Sequence, residues 1–176
     1  MTTRLALKAA TDDVHRELDD RLSRLDLKKP ADYRRFLQIH ARAVPPVEDA
    51  LAKAGLAALV DGWCEGRRSP AIESDVAALG DTMPPPADAP VIDGIGELLG
   101  MAYVLEGSRL GGRVLRRRVG DGLPASFLSD GPSNPWPALI AVMDSHLYSD
   151  ALIGEAKGAA RRCFALFLDV ANEAGI

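Results

Sequence analysis

Apolar positions recur with helical period along most of this chain. From Leu5 to Leu25 the residues Leu7, Val14, Leu18, Leu22 and Leu25 are spaced by about three, four or seven, with acids and arginines between them. That is the pattern of an amphipathic helix. Thr2 or Thr3 is placed to cap its start, and the Lys-Lys-Pro run at 28–30 ends it. A second helix is predicted from about Ala31 to Ala54, with Gly55 as its stop. Pro45 and Pro46 fall inside it. A proline there removes a hydrogen bond and crowds the preceding turn, so a kink is predicted.

Ser69 followed by Pro70 reads as an N-cap and first helical residue, opening a short helix to about Leu79. The stretch 80–90 holds Pro84, Pro85, Pro86 and Pro90 and reads as a surface connector. Val91 to Val119 is again helical in period but rich in glycine, and 120–132 reads as loop. Asn134 and Pro135 repeat the cap-and-proline signature. Ser149 is placed to cap a last helix to about Ala174, with Phe164, Leu166, Phe167 and Val170 on its buried side. No β-alternation, internal repeat or low-complexity tract appears. The pattern predicts one all-α domain over residues 1–176.

Composition narrows the function. Hydrophobic residues make up 47 % of the 176 and charged residues 26 %, with a formal net charge of −4, which suits a globular core and argues against general nucleic-acid binding. No stretch approaches the ~18 apolar residues of a membrane span, and the first residues have no apolar signal core. Cys64 and Cys163 form no CxxC or zinc spacing. Reduced thiols and a cytoplasmic location are expected.

Two anomalies carry the candidate chemistry. His15 lies three residues before Leu18 and seven before Leu22, on the same helical face. It therefore points inward or sits at the edge of the buried stripe. Such a residue is either a core histidine satisfied by a hydrogen bond or a metal ligand. His40 shares near-helical spacing with Phe36 and Val44, and His146 sits at a predicted helix end; neither is marked as a ligand by its sequence. Three histidines without paired His and Glu spacings do not make a di-metal carboxylate bundle.

The second anomaly is glycine inside a helix. Gly94, Gly96, Gly100, Gly107, Gly111 and Gly112 fall in one helical segment, and each interior glycine costs roughly 0.8–1 kcal/mol relative to alanine. Gly107 and Gly111, four apart, share a face without side chains. Either another helix packs tightly there or a flat ligand lies on the bare backbone, with the helix bending at the glycines.

Together these features resemble heme oxygenases of the bacterial, biliverdin-producing branch. LKAATDDVH at 7–15 resembles the family's proximal-histidine helix, and YRRFLQIH at 33–40 its next helix. YVLEGSRLGG at 103–112 is similar to the distal-helix motif, and GAARRCF at 158–164 to the closing helix. The resemblance implies a single-domain helical bundle with a kinked, glycine-rich distal helix. It implies His15 as proximal ligand to heme iron, and Gly107, Ser108 and Gly111 over the distal face with Gly112 beside them. Lys8 and Tyr103 would meet the heme propionates, and Phe164 would pack near the heme edge. Ser108 stands where many relatives have an aspartate that holds a proton-delivering water network, so proton delivery would use other waters. The second basic propionate partner has no clear match; Arg161 and Arg162 are weak candidates.

The activity so implied is cleavage of heme, as both cofactor and substrate, to biliverdin, carbon monoxide and iron with O2 and an external reductant. The alternatives are a non-catalytic heme sensor or carrier on the same fold, and a bundle that binds another small molecule. Arg109, Arg113, Arg116, Arg117 and Arg118 form a basic cluster. It is either a solvated helix end favoured by the helix dipole or a docking face for an acidic electron donor such as a ferredoxin or flavodoxin.

Overall fold

A computed structural model describes residues 2–131 and 133–176. Among them are six α-helices and no strand: α1 Thr3–Leu22, α2 Pro30–Lys53, α3 Ser69–Ala78, α4 Gly94–Arg116, α5 Trp136–His146 and α6 Asp150–Glu173, with a 3-10 turn at Leu56–Ala58. None is long and apolar enough to cross a membrane. The two cysteines are unpaired, Cys64 exposed and Cys163 buried.

The core is built on α2, whose Tyr33, Phe36, Leu37, Ile39, Val44 and Val47 are fully enclosed. α6 packs on α1, α2 and α4. Since α1 and α4 both lean on α6, a cleft remains between them, and it holds the candidate site.

Pro30 opens α2 one residue ahead of the predicted start, and the helix runs through Pro45 and Pro46 without interruption. Pro46 has no N–H for the carbonyl of Arg42. That carbonyl instead accepts from the backbone N–H of Ala87 at 2.9 Å, so the proline-rich connector closes the gap. Gly55, with φ of 88°, follows α2 in the left-handed conformation expected of a helix stop.

The predicted cap of α3 is corrected. Ser69 is already helical, and the cap comes from α2: the buried Glu48 carboxylate accepts from the backbone N–H of Arg68 at 2.6 Å, the N–H of Ser69 at 3.1 Å and the Ser69 hydroxyl at 2.5 Å. α4 spans 94–116 rather than 91–119, because residues 80–93 take no regular structure. Residues 117–131 form turns and loop; the end of the predicted loop, Pro132, lies outside the described residues. α5 starts at Trp136, whose N–H is 3.4 Å from the Asn134 side-chain oxygen. Ser149 caps α6 as predicted, accepting from the N–H of Leu152 at 3.3 Å.

Candidate functional site

A cavity of about 480 Å³ opens between α1 and α4, within the ~300–1,000 Å³ usual for ligand sites. The candidate iron-ligand, distal-face, propionate and ring-edge residues line it, Arg161 and Arg162 apart: Lys8 and His15 from α1, Tyr103, Gly107, Ser108, Gly111 and Gly112 from α4, and Phe164 from α6.

α1 turns one stripe toward this space. Arg4, Lys8, His15, Leu18 and Leu22 all line it, as spacings of three and four require. His15 is not buried in the core. Its side chain is 58 % exposed, with Nε2 3.5 Å from the carboxylate of Asp19, and its ring stands 5.3 Å from the Phe164 ring. The imidazole is therefore at the cavity mouth and has no strong partner holding it, which matches the edge of the stripe.

The glycines of α4 divide into two groups. A Cβ on Gly100 would come within 2.7 Å of the Ala156 Cα, and one on Gly96 within 2.7 Å of the Glu155 Cβ. These two serve helix packing. A Cβ on Gly111 would meet nothing within 4 Å among the described residues, and one on Gly107 would lie 3.3 Å from the edge of the Trp136 ring. Gly112 is buried and its Cβ direction faces Leu128 at 3.8 Å. Gly107 and Gly111 thus share a helical face, but Trp136 fills the first side-chain space while the second stays open.

Ser108 donates its hydroxyl proton to the carbonyl of Leu105 at 2.7 Å. Its oxygen keeps lone pairs for accepting, but its proton is spent on the helix. The same carbonyl accepts from the guanidinium of Arg68 at 2.8 Å. Arg68 is almost fully buried, lies against the Phe127 ring and lines the cavity. Its Nε–H is buried without a partner. Burial, helped by the nearby Arg109 charge, pulls its pKa down to about 10, so it remains a cation at neutral pH. Arg109 is tied to Glu106 and to the carbonyl of Gly66, which clamps this stretch of α4 to the loop before α3.

His40 sits on the opposite wall among Phe36, Phe127 and Phe167. Its Nδ1 lies 2.8 Å from the carbonyl of Phe36. A carbonyl only accepts, so Nδ1 carries the proton and Nε2 of the neutral ring is an acceptor. Burial lowers its pKa to about 4, and the ring is neutral at pH 7.

Sequence reasoning did not single out Arg4, His40, Arg68 or Trp136. The Phe36–His40–Val44 spacing was noted without marking His40 as a site residue, and Arg4 could have been found from standing four before Lys8. Arg68 and Trp136 have no such signal, since their place depends on loops folding back. Arg161 and Arg162 are removed as propionate candidates. Arg161 is bound to Asp13 and the carbonyl of Ala10, Arg162 pairs with Glu97, and neither lines the cavity. The basic cluster is also reduced. Arg109 is engaged as above, Arg113 pairs with Asp130 at 2.7 Å, and Arg116 donates to the carbonyl of Ala125 at 2.9 Å. Arg117 and Arg118 are exposed and have no acceptor among the described residues.

A helical bundle with a glycine-lined cavity between α1 and α4 and an accessible imidazole at its mouth is a class of protein able to enclose a ligand between two helices. No protein-family model matches the chain. It is 32 % identical over 146 residues to a heme oxygenase of Xanthomonas campestris pv. campestris (strain 8004), covering 77 % of this chain and 86 % of the relative. The chain belongs to the heme oxygenase family. Its fold is that of the Neisseria meningitidis heme oxygenase solved with NO and CO bound, at a TM-score of 0.85 and 22 % identity over 99 % of this chain and 92 % of that one. It is also similar to the Leptospira interrogans heme oxygenase, at a TM-score of 0.73 and 16 % identity over 98 % and 100 %.

Proposed function

We propose that the protein degrades heme: it binds heme between α1 and α4 and cleaves it to biliverdin, carbon monoxide and iron, using O2 and an external reductant. The observation that carries this reading is the accessible imidazole of His15 sharing one cavity with the open side-chain space at Gly111. The residues suit the group. Two imidazoles line the cavity, His15 at its mouth and His40 on the far wall, with aromatic walls at Phe127 and Phe164 and free cations at the rim. When bound, heme supplies the iron at which O2 is activated and the macrocycle that is consumed.

The chain's own residues then have separable tasks. His15 would hold the iron; its 3.5 Å contact with Asp19 joins two exposed groups and is weak, so it does not lock the ring. Gly111 leaves room for a diatomic ligand, and Gly107 and Gly112 keep the helix backbone close on either side. Ser108 accepts hydrogen bonds from water. Opposite, Nε2 of His40 is an acceptor in the cavity lining, suited to hold a water through which protons enter. Lys8 and Tyr103 would take the heme carboxylates, and Phe164, whose ring stands beside His15, would support the ring edge.

The reductant we assign to an acidic protein donor of the ferredoxin or flavodoxin kind, acting in the cytoplasm, where the two free thiols stay reduced. Arg117 and Arg118 are its free charges, beside the exposed Leu110 and Val114. Reversing both arginines to glutamate slows reduction by the protein donor, chiefly at low salt, and leaves ascorbate-driven turnover unchanged.

The central test is to add hemin and ascorbate in air. Wild-type protein is expected to give a sharp Soret band that decays to the spectrum of biliverdin; a stable red complex would refute turnover. His15→Ala is expected to keep the fold by circular dichroism, change the heme spectrum and lose turnover until imidazole is added.

A further inference from the structure

The middle of α1 is held to the bundle by little apolar surface. Between Leu7 and Leu18 its only buried residue is Thr11, whose hydroxyl is spent on the carbonyl of Leu7 at 2.9 Å, and Val14 is half-buried. His15 lies in this stretch. Among the described residues, side-chain hydrogen bonds tie α1 to the C-terminal segment at two places. One is the far end of the helix, where Arg21 meets Asn172 and the carbonyl of Ile176. The other is beside His15. The guanidinium of Arg161, on α6, donates to the carbonyl of Ala10 at 2.7 Å and to the two carboxylate oxygens of Asp13 at 2.6 and 2.9 Å.

A planar fork that reaches two points one helical turn apart fixes both the height and the facing of α1 on α6. Arg161 and Asp13 are exposed, so the pair adds little to stability; what it supplies is geometry. The contacts advance in step along the two helices: Asp13 meets Arg161, His15 stands against Phe164 and Arg21 meets Asn172. Phe164 comes one turn after Arg161, and His15 comes two residues, about 3 Å of rise, after Asp13. A slip at the fork is therefore carried almost undiminished to the imidazole, whereas the tie at Arg21 is about 9 Å of rise away. We infer that Arg161 is a positioning residue for His15, setting the register of α1 on α6 that puts the imidazole beside Phe164 at the cavity mouth. Resting on the heme reading above, it thereby governs how the iron would be held.

The test follows the His15 ring in two ways. In the apo-protein, the NMR cross-peak between the ring protons of His15 and Phe164 reports their contact. In the ferrous complex made from hemin, the iron–histidine stretching band reports how the imidazole is held. Arg161→Ala is expected to weaken the cross-peak about threefold, as a displacement of ~1 Å would, and to shift or broaden the band. Its thermal midpoint falls by less than about 4 °C, as for an exposed pair. Arg161→Lys, which keeps the charge but not the fork, restores part of both signals. Asp13→Ala gives the same changes in smaller size, since the Ala10 carbonyl still accepts. Arg21→Ala, which cuts the far tie, is expected to leave both signals as in wild type. Unchanged signals in Arg161→Ala, or equal changes in Arg21→Ala, would overturn the assignment. Wild-type protein that binds no hemin would instead remove the heme reading and the role toward iron, and the cross-peak in the apo-protein would still decide whether Arg161 places the ring.

Discussion

In the first half of α4, side-chain space at Gly96 and Gly100 is occupied by α6, down to the backbone of Ala156. In the second half, the space at Gly111 is open to the cavity, and the space at Gly107 ends on the flat edge of Trp136. Both pairs are glycines four residues apart on the same helix. One lets two helices touch and the other keeps a helix from filling a slot. The spacing of small residues fixes only which face is bare. What comes to that face is decided by distant segments: Glu155 and Ala156 of α6 meet the first half, and Trp136 at the start of α5 comes against the second.

This contrast is easiest to break at Gly100. An added methyl there overlaps main chain, which cannot rotate away, so the helices must separate. Gly100→Ala is expected to lose about 3 kcal/mol or more of stability, at or beyond the upper end of overpacking costs, measured by urea unfolding of the apo-protein. An unchanged midpoint would show that the α4–α6 crossing is looser than described.

Gly111→Ala is expected to do the reverse. With nothing to hit, the methyl raises helix stability by up to roughly 1 kcal/mol. Turnover with ascorbate falls about tenfold, the equivalent of ~1.4 kcal/mol of barrier. A variant that is both more stable and fully active would mean that no ligand lies against that face.

Gly107→Ala should fall between them. Trp136 must give by a few tenths of an ångström, and it is half-buried rather than locked in the core. Stability is expected to stay within about 1 kcal/mol of wild type, with a shift in tryptophan fluorescence reporting the moved ring. Destabilisation equal to that of Gly100→Ala would place Gly107 with the packing glycines.

The smallest effect is expected at Gly112, whose Cβ direction meets Leu128 at an ordinary contact distance. Gly112→Ala is expected to gain a few tenths to about 1 kcal/mol and to lose less turnover than Gly111→Ala. A loss of turnover as large as that of Gly111→Ala would extend the ligand face by one residue.

The helices were legible because their signals are local: period, prolines, and caps such as Ser149. The α1 stripe was legible for the same reason, and it placed His15 inward or at the edge of the buried face, of which the structure has the edge. The two uses of glycine were not distinguishable, since GxxxG-like spacing is identical in both and the residues that meet them, Glu155, Ala156 and Trp136, belong to other, later helices. Arg68 was invisible for a related cause. Nothing in its neighbours announces that its guanidinium will be buried against the Leu105 carbonyl, because that contact joins residues 37 apart. The arginine cluster looked larger in sequence than the molecule leaves free, since a list of charges does not show that Asp130 and Ala125 return to meet Arg113 and Arg116.

Glu48 also bears on the order of folding. Because the cap of α3 comes from α2 and not from its own first residues, α3 is short of local nucleation, which is already costly for a helix of ten residues. It should gain its start only when docked on a formed α2, as a late event with low φ-values. Arg68, held at that same start, reaches α4 at the carbonyl that Ser108 also uses. The ligand-facing turn of α4 is then set last, by a contact that assembles after the bundle has closed, and Glu48→Gln would be expected to slow the final shaping of the slot more than the collapse of the core.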